Sequence, residues 1–485
     1  MPHDVSNSVP QMRMESQSTS DPSSQSAIAR SRFTGRRVHF IGIGGCGMNG
    51  LARMLLDNGA IVTGSEPKPN SSTFELTRRG VNISRDQVGT LLSPEIDLVV
   101  RTAAVRDDNI EFCAARRMNV RAIKYAEMLG EVMAERFGLA IAGAHGKSTT
   151  TAMVAHALLQ CGADPSFVIG GTVKQLGGGS RSGASDFFVA EACEYDRSFH
   201  HLHPQVAVIT NIDDEHRDCY GSVEEIVEAF RHFARLVPED GLIIANGKNE
   251  LVIKALSGMA TPTELCALED GFSWSTRTTG MAGGCYCGDV YYKGQKVTEL
   301  KLAIAGEHNL MNATMALAAC RACGIEPAKA AAALGTFEGV DRRMTEVGQF
   351  KGATVVDDYG HHPTEIRATL KALREKYQPR RLLCVFQPHQ HSRTRYLLED
   401  FAVSFAQADE TVVPDIYFVR DSETERQRVS SQDLVARINA NGQRARHLPQ
   451  FETILQYLRE EVGEGDLVVT MGAGNVGEIG RDLVG

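Results

Sequence analysis

Short apolar runs alternate along this chain with longer segments whose apolar residues recur at helical spacing. The first run, residues 37–42, ends in glycines and leads into a helical pattern through Met54, Leu55 and Leu56. Further strands are predicted at 60–64 and 97–101, a helix at 73–79, and a segment leading into a helix at 122–134. Strands that alternate with helices are typical of a parallel sheet covered on both faces. We expect residues 36–136 to form one such domain.

The same alternation restarts at residues 138–142, where an apolar run enters a second glycine loop followed by a helical pattern. Strands are predicted at 187–190 and 206–210, and an alanine-rich helix at 328–334. Residues 272–301, which contain Gly283-Gly284, are predicted to form hairpins inserted into this unit. This second domain is expected to span residues 137–340.

A third unit of the same kind begins near residues 354–356. Its further strands are predicted at 381–386, 410–413 and 467–470. The fold class is therefore α/β with three domains, the third spanning residues 341–485. Residues 1–35 are rich in Ser, Gln and Arg and poor in large apolar side chains, so we expect a disordered tail there.

Composition excludes several classes of protein. Of 485 residues, 42% are hydrophobic and 23% charged, which is ordinary for a globular protein and not for a disordered chain. The net charge of −9 argues against nucleic acid as a partner. No run of about 18 apolar residues is present, so no membrane insertion is expected. The 11 cysteines show no repeating spacing, which favours reduced thiols in a cytoplasmic protein.

The second glycine loop carries the most informative motif, Ala142-Gly-Ala-His-Gly-Lys-Ser-Thr-Thr150. Backbone N–H groups of such a loop and the start of the next helix can surround phosphate. Lys147 would neutralise the β- and γ-phosphates, and the hydroxyl of Ser148 would bind Mg²⁺. Because Ile141 stands where the long form of this motif has glycine, the loop is a shortened variant that starts at Gly143.

The first glycine loop, Gly42-Ile-Gly44-Gly-Cys-Gly47, also lies between a predicted strand and a helix. Glu66 follows the next strand at the spacing of a ribose-binding acid. Taken alone, the loop therefore indicates a dinucleotide, NAD or FAD, about as strongly as it indicates any other pyrophosphate. Two phosphate loops in one chain also suit a transferase or ligase. Such an enzyme would bind ATP at one loop and a nucleotide-linked substrate at the other.

Carboxylates and imidazoles follow two strands of the second unit. Glu191 follows the strand at 187–190 and His216 comes shortly after the strand at 206–210, so both are expected at the sheet edge that carries the phosphate loop. They are candidate ligands for a divalent ion near ATP. A solvated acidic loop is the alternative for each residue alone. His200, His201 and His203 are interpreted as surface histidines.

The third unit has two loops dense in His, Arg and Asp, at residues 357–365 and 386–395. Such loops suit a site for an anionic small molecule. A zinc site is the disfavoured alternative, because no histidine pair at helical spacing and no cysteine partner supports it. Residues 472–477 are either a third phosphate loop or a tight packing of strand on helix.

Four of these motifs, at residues 42–47, 143–149, 357–364 and 386–389, occur in the order found in the muramyl ligases of peptidoglycan synthesis. The chain resembles that family over residues 36–485. The resemblance implies a Rossmann-like N-terminal domain that binds a UDP-linked substrate, a central P-loop ATPase domain with a parallel sheet, and a Rossmann-like C-terminal domain. The first glycine loop would then hold the diphosphate of UDP-N-acetylmuramate rather than NAD.

The resemblance also implies roles for individual residues. Those implied for the UDP-linked substrate are Gly42, Gly44, Gly45, Gly47 and Ser65. Those implied for ATP are Gly143, Ala144, His145, Gly146, Lys147, Ser148, Thr149, Asn309, Asn312, Arg343 and Asp358. Those implied for Mg²⁺ are Ser148, Glu191 and His216. Those implied for L-alanine and the reacting carboxylate are Tyr359, His361, His389 and Arg393, with Lys147, His361, His389 and Arg393 as the catalytic set.

Some positions differ from the family pattern. Glu66 stands where an aspartate is usual, and Gln390 where an arginine is frequent, so binding of the alanine carboxylate would depend on Arg393. Residues 222–235 contain no lysine, whereas several sister ligases carry a carbamoylated lysine soon after the metal-binding histidine. That absence fits the alanine-adding branch better than its sisters.

The activity implied is ATP-dependent amide formation between L-alanine and the lactyl carboxylate of UDP-N-acetylmuramate through an acyl phosphate, by a monomer or homodimer. The alternatives are a recycling ligase that attaches a tripeptide to the same nucleotide sugar, a nucleotide-dependent dehydrogenase, and a nucleotide-binding scaffold without activity. Retention of Lys147, Ser148, Glu191 and His216 disfavours the scaffold.

Overall fold

The computed structural model describes residues 31–102, 104–217 and 219–485. Of the tail predicted over residues 1–35, residues 1–30 therefore lie outside the described part of the chain. The strands that are described form three separate sheets, one in each third of the sequence. Each sheet is flanked by helices, which confirms the α/β class with three such units.

The N-terminal unit is a parallel sheet of five strands in the order β3-β2-β1-β4-β5. Its elements are β1 (Arg37–Ile41), α1 (Cys46–Asp57), β2 (Ile61–Ser65), α2 (Ser71–Arg78), β3 (Asn82–Ser84), β4 (Leu98–Arg101), α3 (Ile110–Arg117), β5 (Arg121–Lys124) and α4 (Tyr125–Met133). Ile41 of β1 pairs with Ser65 and Arg101 of its two neighbours, so the ends of all three strands meet beside the first glycine loop.

The central unit is a sheet of ten strands in the order β15-β14-β13-β12-β11-β10-β6-β9-β7-β8. Its strands are β6 (Phe137–Ala142), β7 (Ser166–Val168), β8 (Ser180–Arg181), β9 (Phe187–Glu191), β10 (Val206–Ile209), β11 (Leu242–Asn246), β12 (Thr263–Ala267), β13 (Trp274–Ala282), β14 (Cys285–Tyr292) and β15 (Gln295–Lys301). Its helices are α5 (Lys147–Gln160), α6 (Val223–Ala234), α7 (Glu250–Leu256), α8 (Glu307–Ala322) and α9 (Pro327–Leu334), with 3₁₀ turns at Lys174–Leu176 and Tyr195–His201.

The hairpins expected within residues 272–301 are confirmed. Strands β13, β14 and β15 pair antiparallel, so the sheet is mixed at this edge, although its centre is parallel. Gly283 and Gly284 both adopt positive φ, which a two-residue turn between twisted strands requires. The hairpin tip lies against the third unit, where Tyr286 donates a hydrogen bond to Glu375.

Helix α8 places two asparagines, Asn309 and Asn312, at the cavity that the second glycine loop borders. Helices α5 and α8 are both buried along most of their length, as expected of helices packed between a sheet and another helix layer. Their apolar residues share one core with Ile141 and Val208 of the sheet. Asn312 of α8 thereby lies beside Gly146, at which a Cβ would meet the amide oxygen of Asn312 at 2.8 Å.

The C-terminal unit is a sheet of six strands in the order β16-β17-β21-β18-β19-β20, with only β16 antiparallel to its neighbour. Its strands are β16 (Thr345–Phe350), β17 (Ala353–Asp358), β18 (Leu382–Phe386), β19 (Glu410–Val413), β20 (Ala445–His447) and β21 (Leu467–Met471). Its helices are α10 (Pro363–Tyr377), α11 (His391–Tyr396), α12 (Leu398–Ala402), α13 (Glu423–Arg426), α14 (Ser431–Ala440), α15 (Phe451–Glu461) and α16 (Gly477–Val484).

The glycines at residues 472–477 serve close packing. A Cβ at Gly474 would meet the side-chain oxygen of Gln387 at 2.4 Å, and one at Gly477 would meet the carboxylate of Asp357 at 2.7 Å. The carbonyls of Gly472 and Gly474 accept hydrogen bonds from Arg342. Of the two interpretations offered by the sequence, the structure therefore favours tight packing of the loop.

Two further expectations bear on the chain as a whole. No helix in the described ranges is long and apolar enough to cross a membrane. The cysteines that the structure describes are free thiols. Among the three neighbouring histidines, His201 and His203 are exposed as expected, whereas His200 is partly buried and stacks on Phe199.

A buried polar network lies under the first glycine loop. Glu111 of α3 and His39 of β1 are both 0% exposed, and their carboxylate and Nε2 atoms are 3.0 Å apart. The second oxygen of Glu111 accepts a hydrogen bond from the Ser65 hydroxyl. The Ser65 carbonyl in turn accepts hydrogen bonds from the N–H groups of Gly42 and Ile43. Glu111 therefore fixes the strand end from which the loop starts.

Glu111→Ala is expected to destabilise the N-terminal unit by about 3 kcal/mol or more, because it leaves His39 and Ser65 buried without their partner. Hydrogen exchange of the β1 and β2 amides measures this opening free energy directly. Glu95→Ala is the matched control, since Glu95 is exposed and pairs with Arg37 only at 3.7 Å. Its effect should stay within about 0.5 kcal/mol. Equal protection in both variants would contradict the assignment.

Candidate active site

A cavity of about 380 Å³ lies between the central and C-terminal units. Strands β6 and β10 are parallel neighbours, with Ala142 opposite Ile209, so the segments that follow them emerge at the same edge of the sheet. That edge and the start of α8 form one wall of the cavity, and residues of the C-terminal unit form the other. The lining includes His145, Ser148, Thr149, Asn309, Asn312, Arg343, Asp358 and Glu365.

The second glycine loop has the backbone of a phosphate-binding loop. Gly143 and Gly146 adopt φ of +143° and +81°, and Gly146 is the N-cap of α5. A Cβ at Gly143 would lie 1.9 Å from the Thr210 hydroxyl, so only glycine fits there. The N–H groups at the start of α5 are thus presented to the cavity together with the positive end of the helix dipole.

The ammonium group of Lys147 forms an ion pair with a buried carboxylate, that of Glu194. Its Nζ donates hydrogen bonds to the carbonyls of Gly143 and Ala144 and lies 2.9 Å from Glu194 Oε1. Burial alone would lower the pKa of Lys147, but the charge of Glu194, together with those of Glu215 and Glu191, raises it above its ordinary value. The lysine is therefore a cation at neutral pH, positioned at the loop where phosphate oxygens would bind.

The side chains of Glu194, Glu215 and His216 form a cluster whose ligand atoms lie within 4.8 Å of one another. His216 Nε2 is 3.3 Å from Glu194 Oε1, while Glu194 Oε2 is buried and has no hydrogen-bond partner. An unpartnered buried carboxylate oxygen is costly, and a divalent cation would satisfy it. The donor set of two carboxylates and an imidazole therefore fits a metal ion.

Of the predicted metal ligands, His216 belongs to this cluster, whereas the Glu191 carboxylate accepts a hydrogen bond from the Gly170 N–H at 2.7 Å. Ser148 lines the adjacent cavity. Glu194 and Glu215 are the residues that sequence reasoning did not single out. Glu194 follows β9 and Glu215 follows β10, each within a short run that contains several acidic residues. These acidic strings are recognisable in the sequence, but the sequence does not indicate which acid of each string belongs to the cluster.

The far side of the cavity contains the polar pair from α8 and two residues of the C-terminal unit. Asn312 donates a hydrogen bond to Asn309, which donates to the Ala305 carbonyl. Arg343 pairs with Glu365 at 3.2 Å. Asp358 accepts hydrogen bonds from the N–H groups of Met344 and Gly360, and burial raises the pKa of its carboxyl.

Glu215 connects the metal cluster to the C-terminal unit. Its Oε1 lies 3.3 Å from His361 Nε2 and 3.6 Å from Arg393 Nη2. His389 lies beside both, 3.5 Å from Arg393, and burial together with the Arg393 charge lowers its pKa to about 3. His389 is therefore neutral at physiological pH. Tyr359 packs edge-on against His361, so four of the predicted acceptor residues share one region.

His145 joins the two units across the cavity. Its Nε2 is 3.0 Å from Asp213 of the central unit, and its Nδ1 is 3.4 Å from Glu365 of the C-terminal unit. Burial alone would lower the pKa of His145, but the hydrogen bond to Asp213 and the neighbouring charge of Glu365 raise it to about 10. A protonated imidazole therefore lies between them. Thr364 adds a second link, since its hydroxyl donates to Asp213.

The first glycine loop lies in the N-terminal unit, apart from this cavity. Gly42 has φ of +81°, and its N–H donates to the Ser65 carbonyl. The Gly44 N–H donates to the Glu66 carboxylate at 3.0 Å, so a protein anion occupies this part of the loop. At Gly47, in the first turn of α1, a Cβ would meet the Tyr125 hydroxyl at 2.6 Å. Gly45 is the N-cap of α1.

The N-terminal unit is connected to the acidic segment of the central unit by an ion pair. Lys124 of β5 lies 2.9 Å from the carboxylate of Asp196, two residues after Glu194. The arrangement as a whole combines a phosphate loop, a cation-binding cluster and a facing wall of neutral imidazole and guanidinium. It suits transfer of a phosphoryl group from a nucleotide to an acceptor that lies against the C-terminal unit.

Three domain families match consecutive parts of this chain. The Mur ligase family catalytic domain matches residues 37–137, the Mur ligase middle domain residues 141–320, and the Mur ligase glutamate ligase domain residues 342–474. The chain is similar to a UDP-N-acetylmuramate–L-alanine ligase of Caldanaerobacter subterraneus subsp. tengcongensis. The two are 40% identical over 451 residues, which are 93% of this chain and 97% of the relative.

Solved structures show the same likeness. A UDP-N-acetylmuramate-alanine ligase of Thermotoga maritima aligns with a TM-score of 0.76 and 27% identity, over 92% of this chain and 98% of that one. A murein peptide ligase of Psychrobacter arcticus aligns with a TM-score of 0.68 and 26% identity, over 93% and 98%. Both likenesses extend through all three units.

The docking of the central and C-terminal units is expected to weaken as pH rises. The pKa of His145 is about 10 when docked, above the ordinary value of about 6.5, so its contribution is complete below pH 6.5 and is lost as pH rises toward 10. Small-angle scattering of the ligand-free protein should show the radius of gyration rising over that range.

His145→Gln should give a larger radius than the parent protein at pH 7 and a weaker dependence on pH. His201→Gln is the control, because His201 is an exposed histidine of the same unit, and it should follow the parent curve. Identical curves for His145→Gln and the parent protein would contradict the role of this imidazole.

Proposed function

The chain belongs to the Mur ligase family, and we propose that it joins L-alanine to the lactyl carboxylate of UDP-N-acetylmuramate at the expense of ATP. This is the first addition of an amino acid in the synthesis of the peptidoglycan precursor. The observation that carries the proposal is the meeting of His361 and Arg393 with Glu215, directly beside the phosphate loop. The 40% identity to a ligase of this name supports the choice of substrates.

In the first step, the lactyl carboxylate attacks the γ-phosphorus of ATP, which gives an acyl phosphate and ADP. Lys147 and the loop N–H groups bind the phosphate oxygens and stabilise the negative charge on the transferred group. Glu194, Glu215 and His216, together with Ser148 and Glu191, would hold Mg²⁺, which supplies further neutralisation of phosphate charge. We assign Asn309 and Asn312 to the adenine, and Arg343 and Asp358 of the C-terminal unit to the rest of the nucleotide, because all four line the cavity.

In the second step, the free amine of L-alanine attacks the acyl carbon and phosphate leaves. The residues around the amine are His361, His389 and Arg393, with Tyr359 beside them. Because burial beside Arg393 keeps His389 neutral, its imidazole can accept a hydrogen bond from the amine without repelling it. These groups come from a different unit than Lys147, so catalysis requires the two units to be docked.

The nucleotide sugar is assigned to the N-terminal unit. Gly42, Gly44, Gly45 and Gly47 with Ser65 would bind its diphosphate through backbone N–H groups at the start of α1. The proposed domains are residues 36–136 for this substrate, 137–340 for ATP and 341–485 for the amino acid. We assign the reaction to the cytoplasm, with the protein acting as a monomer or homodimer.

Phosphate release from ATP, with Mg²⁺ and UDP-N-acetylmuramate present, tests the proposal. L-alanine and the tripeptide L-alanyl-γ-D-glutamyl-meso-diaminopimelate are added separately, and the products are identified by mass. Release that requires L-alanine, with UDP-N-acetylmuramoyl-L-alanine as product, is expected. Release with the tripeptide alone would assign the protein to peptide recycling, and release with neither would overturn the proposal.

Lys147→Ala should lower kcat for this phosphate release by about 10²–10³-fold, since it removes a cation that stabilises charge on the transferred phosphoryl group. Lys174→Ala is the matched control in the same unit. Lys174 is exposed and pairs with Asp341 at 3.7 Å, so its loss should leave kcat unchanged. Circular dichroism verifies that both variants fold. Equal rates for the two variants would remove Lys147 from the mechanism.

A further inference from the structure

One segment of the C-terminal unit reaches across to the central unit without belonging to any motif of the sequence. It is the stretch of residues 414–422 between β19 and α13, called here the strap. Its Tyr417 stacks on the His389 ring with the centroids 5.5 Å apart and an angle of 10°. The strap therefore borders the region assigned above to the amino acid.

Hydrogen bonds hold the strap against the segment 388–392 on both sides of Arg420. The Tyr417 N–H donates to the Pro388 carbonyl at 2.8 Å, and the Tyr417 carbonyl accepts from the Gln390 N–H at 3.1 Å. On the other side, the Asp421 carboxylate accepts hydrogen bonds from the His391 N–H and from the Ser392 hydroxyl. Four hydrogen bonds at two strap residues, Tyr417 and Asp421, thus fix the segment that carries Arg420.

Arg420 itself is held in an unfavourable backbone conformation. Its φ is +61°, a left-handed value that costs a non-glycine residue energy and that persists where neighbouring contacts impose it. The guanidinium carbon lies 5.0 Å from the centre of the Tyr195 ring, which belongs to the central unit. That ring packs against His216 at 5.3 Å. The strained backbone therefore presents a cation to the region of the metal cluster.

Arg420 differs from the other arginines of this region in its charge partners. Arg393 is paired with Glu215, Arg343 with Glu365, and Arg342 with Asp357. Within the described residues, no carboxylate forms an ion pair with Arg420. A carboxylate substrate that enters between the two units would have to displace Glu215 to reach Arg393, whereas Arg420 is available to it without such an exchange.

We propose that Arg420, and not Arg393 as the family resemblance implies, binds the α-carboxylate of the amino-acid acceptor. The inference rests on the proposed function, which brings two carboxylates into one site. The lactyl carboxylate must be phosphorylated, whereas the α-carboxylate of the acceptor must not be. A guanidinium on the strap binds the second carboxylate and leaves the amine free to attack. A planar guanidinium can bind a carboxylate through two hydrogen bonds, which a lone lysine cannot do.

Arg420→Asn tests this assignment, since asparagine tolerates the left-handed backbone and removes the charge. The KM for L-alanine should rise about 10- to 100-fold, the loss of one charge-assisted contact, while kcat and the KM values for ATP and UDP-N-acetylmuramate change less than about threefold. Arg426→Asn is the control on the adjacent helix. Arg426 pairs with Glu423 and stacks on Phe418, outside the proposed contact.

L-alaninamide separates carboxylate recognition from a general disturbance of the strap. The parent protein should prefer L-alanine over the amide in kcat/KM, and Arg420→Asn should reduce that preference at least about tenfold because only the acid uses the guanidinium. Arg420→Lys should recover part of the preference. An unchanged preference, or a higher KM for the nucleotide sugar instead, would overturn the assignment.

The outcome is distinct from failure of the proposed function. If the parent protein forms no product from L-alanine, the proposed function fails, and the assignment of Arg420 fails with it. If the parent protein uses L-alanine and Arg420→Asn uses it with the same KM, only the assignment of Arg420 fails.

Discussion

A buried carboxylate requires positive partners, and Glu215 obtains its partners from two domains at once. Burial alone would raise its pKa, but the hydrogen bond with His361 and the neighbouring charge of His216 hold the pKa well below its ordinary value. His361 belongs to the C-terminal unit and His216 to the central unit, so the compensation is complete only where the units are docked. The nucleotide side and the amine side of the site therefore assemble around one anion.

Other contacts between the central and C-terminal units also involve acidic side chains. Asp213 meets Thr364, Asp214 accepts a hydrogen bond from Tyr396, and Lys371 of α10 lies 3.2 Å from Glu307 of α8. Each link joins an acidic group to a donor on the opposite unit. Polar contacts of this kind form interfaces that open more readily than apolar cores do, which suits an enzyme that must admit one substrate after another.

The parts of the site that could be predicted are those encoded within a few consecutive residues. The two glycine loops require glycine at Gly42 and Gly143 for backbone reasons that are visible in the motif. The acidic strings after β9 and β10 were recognisable in the same way. Which acid of a string faces Lys147 was not, because Asp196 and Arg197 both adopt left-handed φ and turn the chain after Glu194. No local pattern indicates two such residues in succession.

Contacts between units were also beyond sequence reasoning. The partners of Glu365 and Arg420 on the central unit lie 220 and 225 positions away along the chain, at His145 and Tyr195. No pattern in the sequence indicates contacts over such a separation. Strands were easier to predict than these contacts, because a central strand such as β18 is an unbroken apolar run. Short edge strands such as β8 and β20 lack that pattern and were not predicted.

The contact between Glu66 and Gly44 has a consequence for how the enzyme rests between turnovers. The loop N–H group that would bind a diphosphate is already hydrogen-bonded to a carboxylate of the protein. Lys147 is likewise paired with Glu194. Internal carboxylates of the protein thus act as placeholders for the phosphate groups of the proposed substrates. Binding is then an exchange of one anion for another, and selectivity depends on which incoming group can displace the placeholder.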